Sequence, residues 1–284
     1  MVDQPLPAGT APGLLDIVLR GRPDRATLFQ QAGLDADTVA GGDGHLTSAQ
    51  LDALLGTAFT QAGDPLFGLR VGRANHYRDL GPLGFLMAAC ETLEQALRVL
   101  PHYRQLLLPY LALALHREEH QCTLTVSGGE ALAVTRTRPH NDLLIASLVA
   151  LGHSLLGGRM PIQRVAFRHP RPSDGELHEY RSFFRCALDF NQPANAVVFS
   201  PALLGHNLPA ADPARRRDLE RTADDQLRAL RRVGEVTGRV IEQLHAGPGQ
   251  RPPTVHRVAD GFCPLYPPDA AGHARGVDLA TWRL

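Results

Sequence analysis

The sequence contains no lysine: all 29 basic residues are arginine, and they equal the 29 acidic residues in number. Together with the abundant alanine, glycine and proline, this is typical of the codon bias of a GC-rich genome. A formal net charge of zero excludes a field over the whole molecule that would steer it to nucleic acid or to an anionic membrane. It leaves room for a local basic surface.

Cysteine is also scarce, and the four cysteines lie far apart in the chain, at Cys90, Cys122, Cys186 and Cys263. No C-x-x-C pair is present, which excludes a zinc knuckle and a disulfide framework. The N-terminal stretch lacks the basic and apolar regions of a secretory signal. The longest apolar runs, Leu106–Leu115 and Leu143–Leu151, are too short to span a bilayer. We therefore predict a cytoplasmic protein with reduced thiols and no membrane association.

The chain has 284 residues, which suggests about two domains. Its first third shows helical periodicity, with short helices expected at Leu14–Leu19 and Ala26–Gln31. A third helix should begin at Thr47 or Ser48, which can cap it, and should end at Gly63. A fourth is expected from about Thr92 to Leu107, with a kink at Pro101.

The middle of the chain mixes alternating and helical patterns. Two runs that alternate in twos, Tyr110–His116 and Gln121–Val126, predict a hairpin around a charged tip. The further elements expected are a strand over Ala131–Thr137, a helix over Asn141–Leu156, a strand over Ile162–Arg168, a helix over Asp174–Phe184, and a hairpin around Asn191–Ala194 whose second strand is Ala196–Phe199. The predicted fold class is α+β, with N-terminal helices before the mixed part.

From Asp212 the chain becomes helical and rich in arginine, with an apolar stripe from Leu219 to Leu244. Arginine and carboxylate side chains interleave on its polar face, which predicts a solvated face with ion pairs; dimerisation through the stripe is the alternative. Glycine and proline at 246–253 break the helix. The predicted domains are an α+β domain at 1–210, a helical linker at 211–247 and a third segment at 248–284.

One short pattern can be interpreted as catalytic. His116, Glu119 and His120 fit H-x-x-E-H, in which a helix turns two histidines toward zinc and the glutamate acts as base. Here the pattern lies at the tip of the predicted hairpin, where it is typical of a polar turn. A zinc hydrolase therefore stays an alternative to the binding protein that the rest of the sequence favours.

Other signatures of enzymes are missing from the sequence. No G-x-S-x-G elbow occurs, and the glycines at Gly68, Gly72, Gly81 and Gly84 lack the spacing of a phosphate loop, so we predict that they serve turns and packing. His169 and the cluster His102–Arg104 can line a pocket, but no spacing assigns the effector site. We predict no catalytic residue, no metal and no cofactor.

Several landmarks, taken in order, resemble one known family. The stretch Gly63–Gly72 is similar to the signature D-P-x-F-G-L-R-x-G, and Gly81–Phe85 is similar to G-x-L-G-Y. Later landmarks follow the order T-L-x-E-A-L and then V-x-F-x-H-x-x-P…F…F…N…F, at Thr92–Leu97, Tyr103, Val165–Pro172, Tyr180, Phe184, Asp189–Phe190, Asn195 and Phe199. Over about residues 14–260 the chain thus resembles AraC-type transcriptional regulators with an arabinose-binding N-terminal domain.

The resemblance implies a first domain that senses a small molecule or governs self-association. It also implies a second domain with two helix-turn-helix motifs, whose recognition helices enter successive major grooves. The expected partners are operator DNA, an unidentified small-molecule effector and a second copy of the chain in a homodimer. Residues Pro253–Asp260 resemble the first helix of the first motif, which assigns Thr254, His256 and Arg257 to DNA binding.

The sequence departs from the family where the first recognition helix should follow. Gly261–Gly272 reads G-F-C-P-L-Y-P-P-D-A-A-G, and each proline removes a backbone donor and clashes with the preceding turn of a helix. The codons of Leu265–Ala271, read one base later, can spell S-T-R-R-T-L-R, close to the missing S-x-R-T-L. A local frame slip is therefore our hypothesis for this segment.

The C-terminal charge is also low for a DNA-binding surface. Residues 251–284 hold four arginines and three aspartates, a net charge of +1, and the chain stops before a second helix-turn-helix motif. We expect this truncated region to bind operator DNA weakly or not at all. The competing prediction is a free-standing sensor or dimerisation protein.

Overall fold

The computed structural model of the chain describes residues 6–7, 18, 25–31, 33–34, 45–46, 48–108, 110–128 and 132–245. The chain divides into two compact units, Met1–Arg228 and Ala229–Leu284. All side-chain contacts given below lie within the first unit. Of the second unit, the structure describes a helical backbone as far as His245. The domain boundaries that the sequence predicts, after residues 210 and 247, stay predictions.

Two of the N-terminal elements, the first and second helices below, form where the sequence predicts helices, whereas the two short strands and the third helix were not predicted. The N-terminal elements are, in chain order, β1 (Leu6–Pro7), α1 (Arg25–Gln31), β2 (His45–Leu46), α2 (Ser48–Ala62) and α3 (Phe67–Arg73). The predicted helix Leu14–Leu19 lies outside the described residues except for Val18. Helix α2 ends at Gly63, whose φ of 58° is a conformation that residues with a Cβ atom rarely adopt. The predicted end of this helix is confirmed.

The aspartate of the G-D-P-L-F-G-L-R-V-G segment, Asp64, lies three residues before the start of helix α3. The Asp64 side chain accepts a hydrogen bond from the backbone N–H of Leu66 at 2.9 Å, which satisfies a donor that the start of a helix leaves without a partner. Its other oxygen pairs with the Arg70 guanidinium at 3.0 Å. The acidic residue of this segment therefore fixes where α3 starts.

The two glycines of α3 allow close contact with a long helix, α7 (Arg138–Leu156). A Cβ atom on Gly68 would lie 1.8 Å from the carbonyl oxygen of Pro139, and one on Gly72 would lie 2.6 Å from that of Leu143. Both distances are far below van der Waals contact. The prediction that these are packing glycines is confirmed.

The second pair of glycines shapes the start of helix α4 (Gly81–Ala88). Gly81 has a φ of 58° and follows the 3-10 helix Tyr77–Leu80. A Cβ atom on Gly84 would lie 1.6 Å from the carbonyl oxygen of Tyr77, so the glycine lets α4 fold back on this 3-10 helix. Turn and packing roles are thus confirmed here as well.

The single helix predicted over Thr92–Leu107 is divided in two, as α5 (Leu93–His102) and α6 (Arg104–Leu107). Thr92 caps α5 by accepting the backbone N–H of Gln95 at 3.4 Å. A proline cannot donate to the carbonyl four residues earlier, so Pro101 weakens the last turn of α5. The chain leaves the helix two residues later.

The hairpin predicted around the charged tip is confirmed. It consists of β3 (Leu111–Arg117) and β4 (Cys122–Gly128), paired from Leu111 opposite Gly128 to Arg117 opposite Cys122. The rest of the sheet is formed by β5 (Ile162–Ala166), β6 (Ala187–Asp189) and β7 (Asn195–Phe199), in the order β3-β4-β7-β5-β6. All neighbours pair antiparallel except β5 and β6, which are parallel.

The strand predicted over Ala131–Thr137 is wrong, because Ala133–Arg136 forms a 3-10 helix. The hydroxyl of Thr135 donates to the carbonyl of Leu132, and the hydroxyl of Thr137 donates to the carbonyl of Val134, both at 2.7 Å. Such local bonds from threonine side chains compete with strand pairing.

The hairpin predicted around Asn191–Ala194 is also wrong. Strands β6 and β7 do not pair with each other, because β5 lies between them. The connection therefore crosses β5 instead of turning tightly. Asn195 supports this crossing by accepting the backbone N–H of Arg168 at 2.9 Å. The strand at Ala196–Phe199 itself is confirmed, with one more residue at its start.

The remaining helices frame the sheet and confirm the α+β class. Helix α8 spans Asp174–Phe184 as predicted, and α9 spans Pro213–His245. One hydrophobic core joins helices α4, α5, α7, α8 and α9 to the sheet, with buried residues such as Leu86, Leu97, Val149, Val197 and Leu227.

Among the helices of the described part, none has the length and apolar character needed to cross a bilayer. Cys90, Cys122 and Cys186 carry free thiols, and burial raises the pKa of Cys90 to about 11.

A buried polar network ties α7 to α8. The carboxylate of Asp142 is fully buried; it accepts hydrogen bonds from the Tyr180 hydroxyl at 2.5 Å and from Nε2 of His169 at 2.9 Å. The Arg138 guanidinium lies 3.5 Å from the same carboxylate and donates to Glu176 at 3.1 Å. Burial and the neighbouring Asp142 raise the pKa of Tyr180, so its hydroxyl stays a donor at neutral pH.

Candidate functional site

A cavity of about 360 Å³ opens between α4, α5, α6, the β3–β4 hairpin, α7 and α9. Small-molecule sites in proteins are concave and range from roughly 300 to 1,000 Å³. Every residue in its wall lies between Asn75 and Gln226, within the first compact unit. The cavity therefore has the size of a small-molecule site and lies in the first compact unit.

The wall of the cavity is mainly apolar. Ten leucines and Val126 line it, and six of these apolar side chains are buried: Leu83, Leu100, Leu111, Val126, Leu144 and Leu151. They come from helices α4, α5 and α7 and from the hairpin strands, whose alternation turns every second side chain inward. An apolar ligand surface is the natural complement of this wall.

Most polar groups in the wall already bind one another. Asn75 donates from its side-chain amide to the Ser147 hydroxyl at 2.7 Å, and the backbone N–H of His76 donates to Asp79 at 2.7 Å. Arg104 differs, because no carboxylate of the described residues lies within ion-pair distance of its guanidinium. The side chain of Arg104 is exposed and sits at the rim.

Helix α9 forms one side of the cavity through Gln226, whose side chain is exposed at the same rim. Ala223 and Leu227, on either side of it in the chain, are buried in the main core. The Tyr103 hydroxyl donates to Asp224 at 2.7 Å; burial and this bond raise the tyrosine pKa. Nearby, Arg216 donates to the side chain of Gln95 at 2.8 Å. The first part of α9 is therefore seated on the sensor fold by apolar and polar contacts.

Of the residues that the sequence analysis named as able to line a pocket, the structure places one in the wall of this cavity. Arg104 lines it, whereas its neighbour Tyr103 binds α9 and His102 is exposed. His169 lies instead in the buried network around Asp142. The rest of the wall was not predicted, because its residues come from many separate elements, and their apolar members follow the same helical and strand periodicity as core residues.

The H-x-x-E-H stretch forms a turn and not a zinc site. His116 lies on β3, and the backbone N–H of Glu118 donates to the carbonyl of Gln121 at 2.9 Å across the tip. The side chains of Glu119 and His120 are each 88% exposed. The two histidines therefore do not share a helix face, which the zinc hydrolase requires. Within the part of the chain that the structure describes, no group of three His, Cys, Asp or Glu side chains is arranged to hold a metal.

The residues assigned to DNA binding, Thr254, His256 and Arg257, lie outside the described residues. The same holds for the proline-rich stretch Gly261–Gly272 and for the frame-slip hypothesis attached to it. These assignments stay predictions from the sequence.

Comparison with known proteins gives the family. Residues 23–208 match the family described as the N-terminal arabinose-binding domain of AraC transcription regulators. The chain is 26% identical over 251 residues to an ornithine utilization regulator of Pseudomonas aeruginosa, a match that covers 87% of this chain and 72% of that relative. Its fold is similar to the crystal structure of the transcriptional regulator CdpR from Pseudomonas aeruginosa, with a TM-score of 0.51 and 18% identity. That match covers 60% of this chain and 54% of CdpR, so it spans about half of the CdpR chain.

The family match covers residues 23–208 of 284, well over half of the chain. The matched range includes the G-D-P-L-F-G-L-R-V-G segment, the β3–β4 hairpin, and every residue of the cavity wall except Gln226. The family consists of transcription regulators and not of enzymes. The chain belongs to the AraC-type transcription regulators that carry this N-terminal ligand-sensing domain.

Proposed function

We propose that the cavity binds the effector of this regulator. We also propose that helix α9 transmits the binding of the effector to residues 246–284. The observation that carries the proposal is the place of Gln226: it lies on the helix that leads to those residues, and it forms part of the cavity wall. An effector at this wall contacts α9 directly. It can therefore favour one position of the helix over another when it makes better contacts with the helix in that position.

A second route joins the cavity to α9 through two adjacent residues. Arg104 lines the cavity, and Tyr103 donates its hydroxyl to Asp224 on α9. Tyr103 also separates α5 from α6, so a shift of α6 against a ligand would reach this hydrogen bond. This arrangement supports coupling through contact and requires no change in the sheet.

The name of the Pseudomonas aeruginosa relative makes L-ornithine one effector to test. Ornithine carries two ammonium groups and one carboxylate, whereas Asp79 is the single carboxylate that the described residues contribute to the cavity wall, and it already accepts the N–H of His76. Burying an ammonium group without a partner is costly. We therefore propose that the effector of this chain is less polar than ornithine.

For DNA, we propose that the chain as it stands binds operator sequences weakly or not at all. The support comes from the sequence: Pro264, Pro267 and Pro268 fall where the first recognition helix is expected. Without that helix, Thr254, His256 and Arg257 would contact DNA without base-reading side chains beside them. A sensor that acts on a partner instead of on DNA is the competing proposal.

Selection from a pool of random-sequence DNA duplexes tests this function. The matched variant restores S-T-R-R-T-L-R through seven substitutions: Leu265→Ser, Tyr266→Thr, Pro267→Arg, Pro268→Arg, Asp269→Thr, Ala270→Leu and Ala271→Arg. We expect no enriched sequence with the unsubstituted chain and an enriched sequence with the variant. Adding the small-molecule fraction of a bacterial extract should change the enrichment that the variant gives.

Each other outcome of the selection is informative. Tight, sequence-specific enrichment by the unsubstituted chain would overturn the proposed loss of DNA binding. Enrichment by neither chain would favour the free-standing sensor. Circular dichroism of both proteins checks that they are equally folded before selection.

A further inference from the structure

We propose that the cavity takes an amphipathic monoanion, in which an apolar chain fills the leucine-lined interior and a carboxylate binds Arg104 at the rim. This inference rests on the proposed function, because it names the chemical class of the effector. Three observations support it: the composition of the wall, the division between its buried and exposed residues, and a guanidinium, that of Arg104, with no carboxylate partner among the residues that the structure describes.

The interior is suited to an alkyl or similar apolar chain of limited length. At roughly 30 Å³ for each non-hydrogen atom, the share of a water molecule in the liquid, about 360 Å³ holds about a dozen such atoms. The buried leucines Leu83, Leu100 and Leu144 surround this space and offer no hydrogen-bonding side chain. Burial of apolar surface is therefore the main source of affinity for the ligand.

Exposure differs among the wall residues and gives the ligand a direction. Leu111 and Leu151 are buried, whereas Leu106, Leu113 and Leu148 are half-buried. Arg104 and Gln226 are exposed at the rim. A ligand with one polar end thus places that end at the rim and its apolar end inside.

The charge at the rim selects an anion. Among the described residues Arg104 has no carboxylate partner, and its planar guanidinium can hold both oxygens of a carboxylate at once. Asp79 also faces the cavity, but it accepts the N–H of His76 as part of the cap of the 3-10 helix Tyr77–Leu80. The Gln226 amide can add a further donor from α9. An effector carboxylate would then contact α9 and Arg104 together.

Four probes with eight carbon atoms each and different polar groups test the assignment by titration calorimetry: octanoate, 1-octanol, octylamine and 2-aminooctanoate. We expect octanoate to bind most tightly to the full chain. Arg104→Gln should weaken octanoate roughly ten-fold and bring it close to 1-octanol, because the charge-assisted bond is lost. The matched control is Arg98→Gln, which removes an exposed arginine of α5 that pairs with Glu94. This control should leave octanoate affinity unchanged.

The outcomes separate this inference from the proposed function. Equal binding of octanoate and 1-octanol with no effect of Arg104→Gln would overturn the monoanion but leave the cavity as a ligand site. Tighter binding of octylamine or 2-aminooctanoate would overturn it as well, in favour of a cation or zwitterion. If no probe binds, the assignment is wrong, while binding of other molecules from a cell extract still tests the cavity itself. Leu148→Trp, which fills the cavity, should abolish octanoate binding and shows that the probe lies inside.

Discussion

Gly68→Ala should lower the free energy of unfolding by about 3 kcal/mol or more. The added Cβ atom would lie 1.8 Å from the carbonyl oxygen of Pro139 and 2.9 Å from its Cα atom. These are backbone atoms of α7, so no side chain can rotate away, and the two helices must separate. Urea unfolding of the purified variant and of the unsubstituted chain measures the loss.

Gly56→Ala is the matched control for that substitution. Gly56 lies within α2, and a Cβ atom there would meet no other atom within 4 Å. Alanine is favoured over glycine inside a helix, so this variant should be stabilised by about 0.5 to 1 kcal/mol. Equal stabilities for Gly68→Ala and the unsubstituted chain would show that α3 and α7 do not pack as described.

Asp142→Asn should cost about 3 to 5 kcal/mol of unfolding free energy, the range for breaking a buried ion pair. The carboxylate is fully buried, and the donors His169, Tyr180 and Arg138 surround it. An amide has one acceptor oxygen instead of two and turns its own donors toward these groups. The Arg138 charge would also lose a buried partner.

The control for Asp142 is Asp225→Asn, which removes an exposed carboxylate that pairs with Arg228 on α9. Exposed pairs contribute less than about 1 kcal/mol, so this variant should remain close to the unsubstituted chain. Similar small losses for both variants would contradict the buried network. A large loss for Asp142→Asn alone would confirm that α7 and α8 are held together through polar contacts.

Local rules predict much of this fold because local residues determine it. Gly63 ends α2, Thr92 caps α5, and alternation defines both strands of the hairpin. The glycines of the D-P-x-F-G-L-R-x-G segment could also be assigned to turns and packing, since they lack the spacing of a phosphate loop. Their partner, α7, follows only from the folded structure.

Two predictions from the sequence failed, one because of distant strand pairing and one because of local side-chain hydrogen bonds. Strands β6 and β7 are separated by a short connection that is typical of a hairpin, yet β5 lies between them. The run Ala131–Thr137 alternates like a strand, but the Thr135 and Thr137 hydroxyls bind the backbone locally. Neither the order of strands nor this competition can be obtained from periodicity alone.

The cavity could not be predicted from sequence for a related reason. Its wall runs from Asn75 to Gln226 and uses mainly leucine, the residue that also fills the core. A wall leucine and a core leucine give the same sequence pattern. Arg104 was the one wall residue named as able to line a pocket, as part of the cluster with His102 and Tyr103.

The central claim is that α9 responds to what the cavity holds, and amide hydrogen exchange along α9 tests it most directly. Exchange over residues 213–228 is measured with and without the small-molecule fraction of a bacterial extract, in the unsubstituted chain, in Leu148→Trp and in Leu156→Trp. Both leucines are half-buried on α7, but only Leu148 belongs to the cavity wall described above. We expect the extract to slow exchange around Gln226 in the unsubstituted chain and in Leu156→Trp, and not in Leu148→Trp. Unchanged exchange in α9, or an equal response of all three proteins, would contradict the claim.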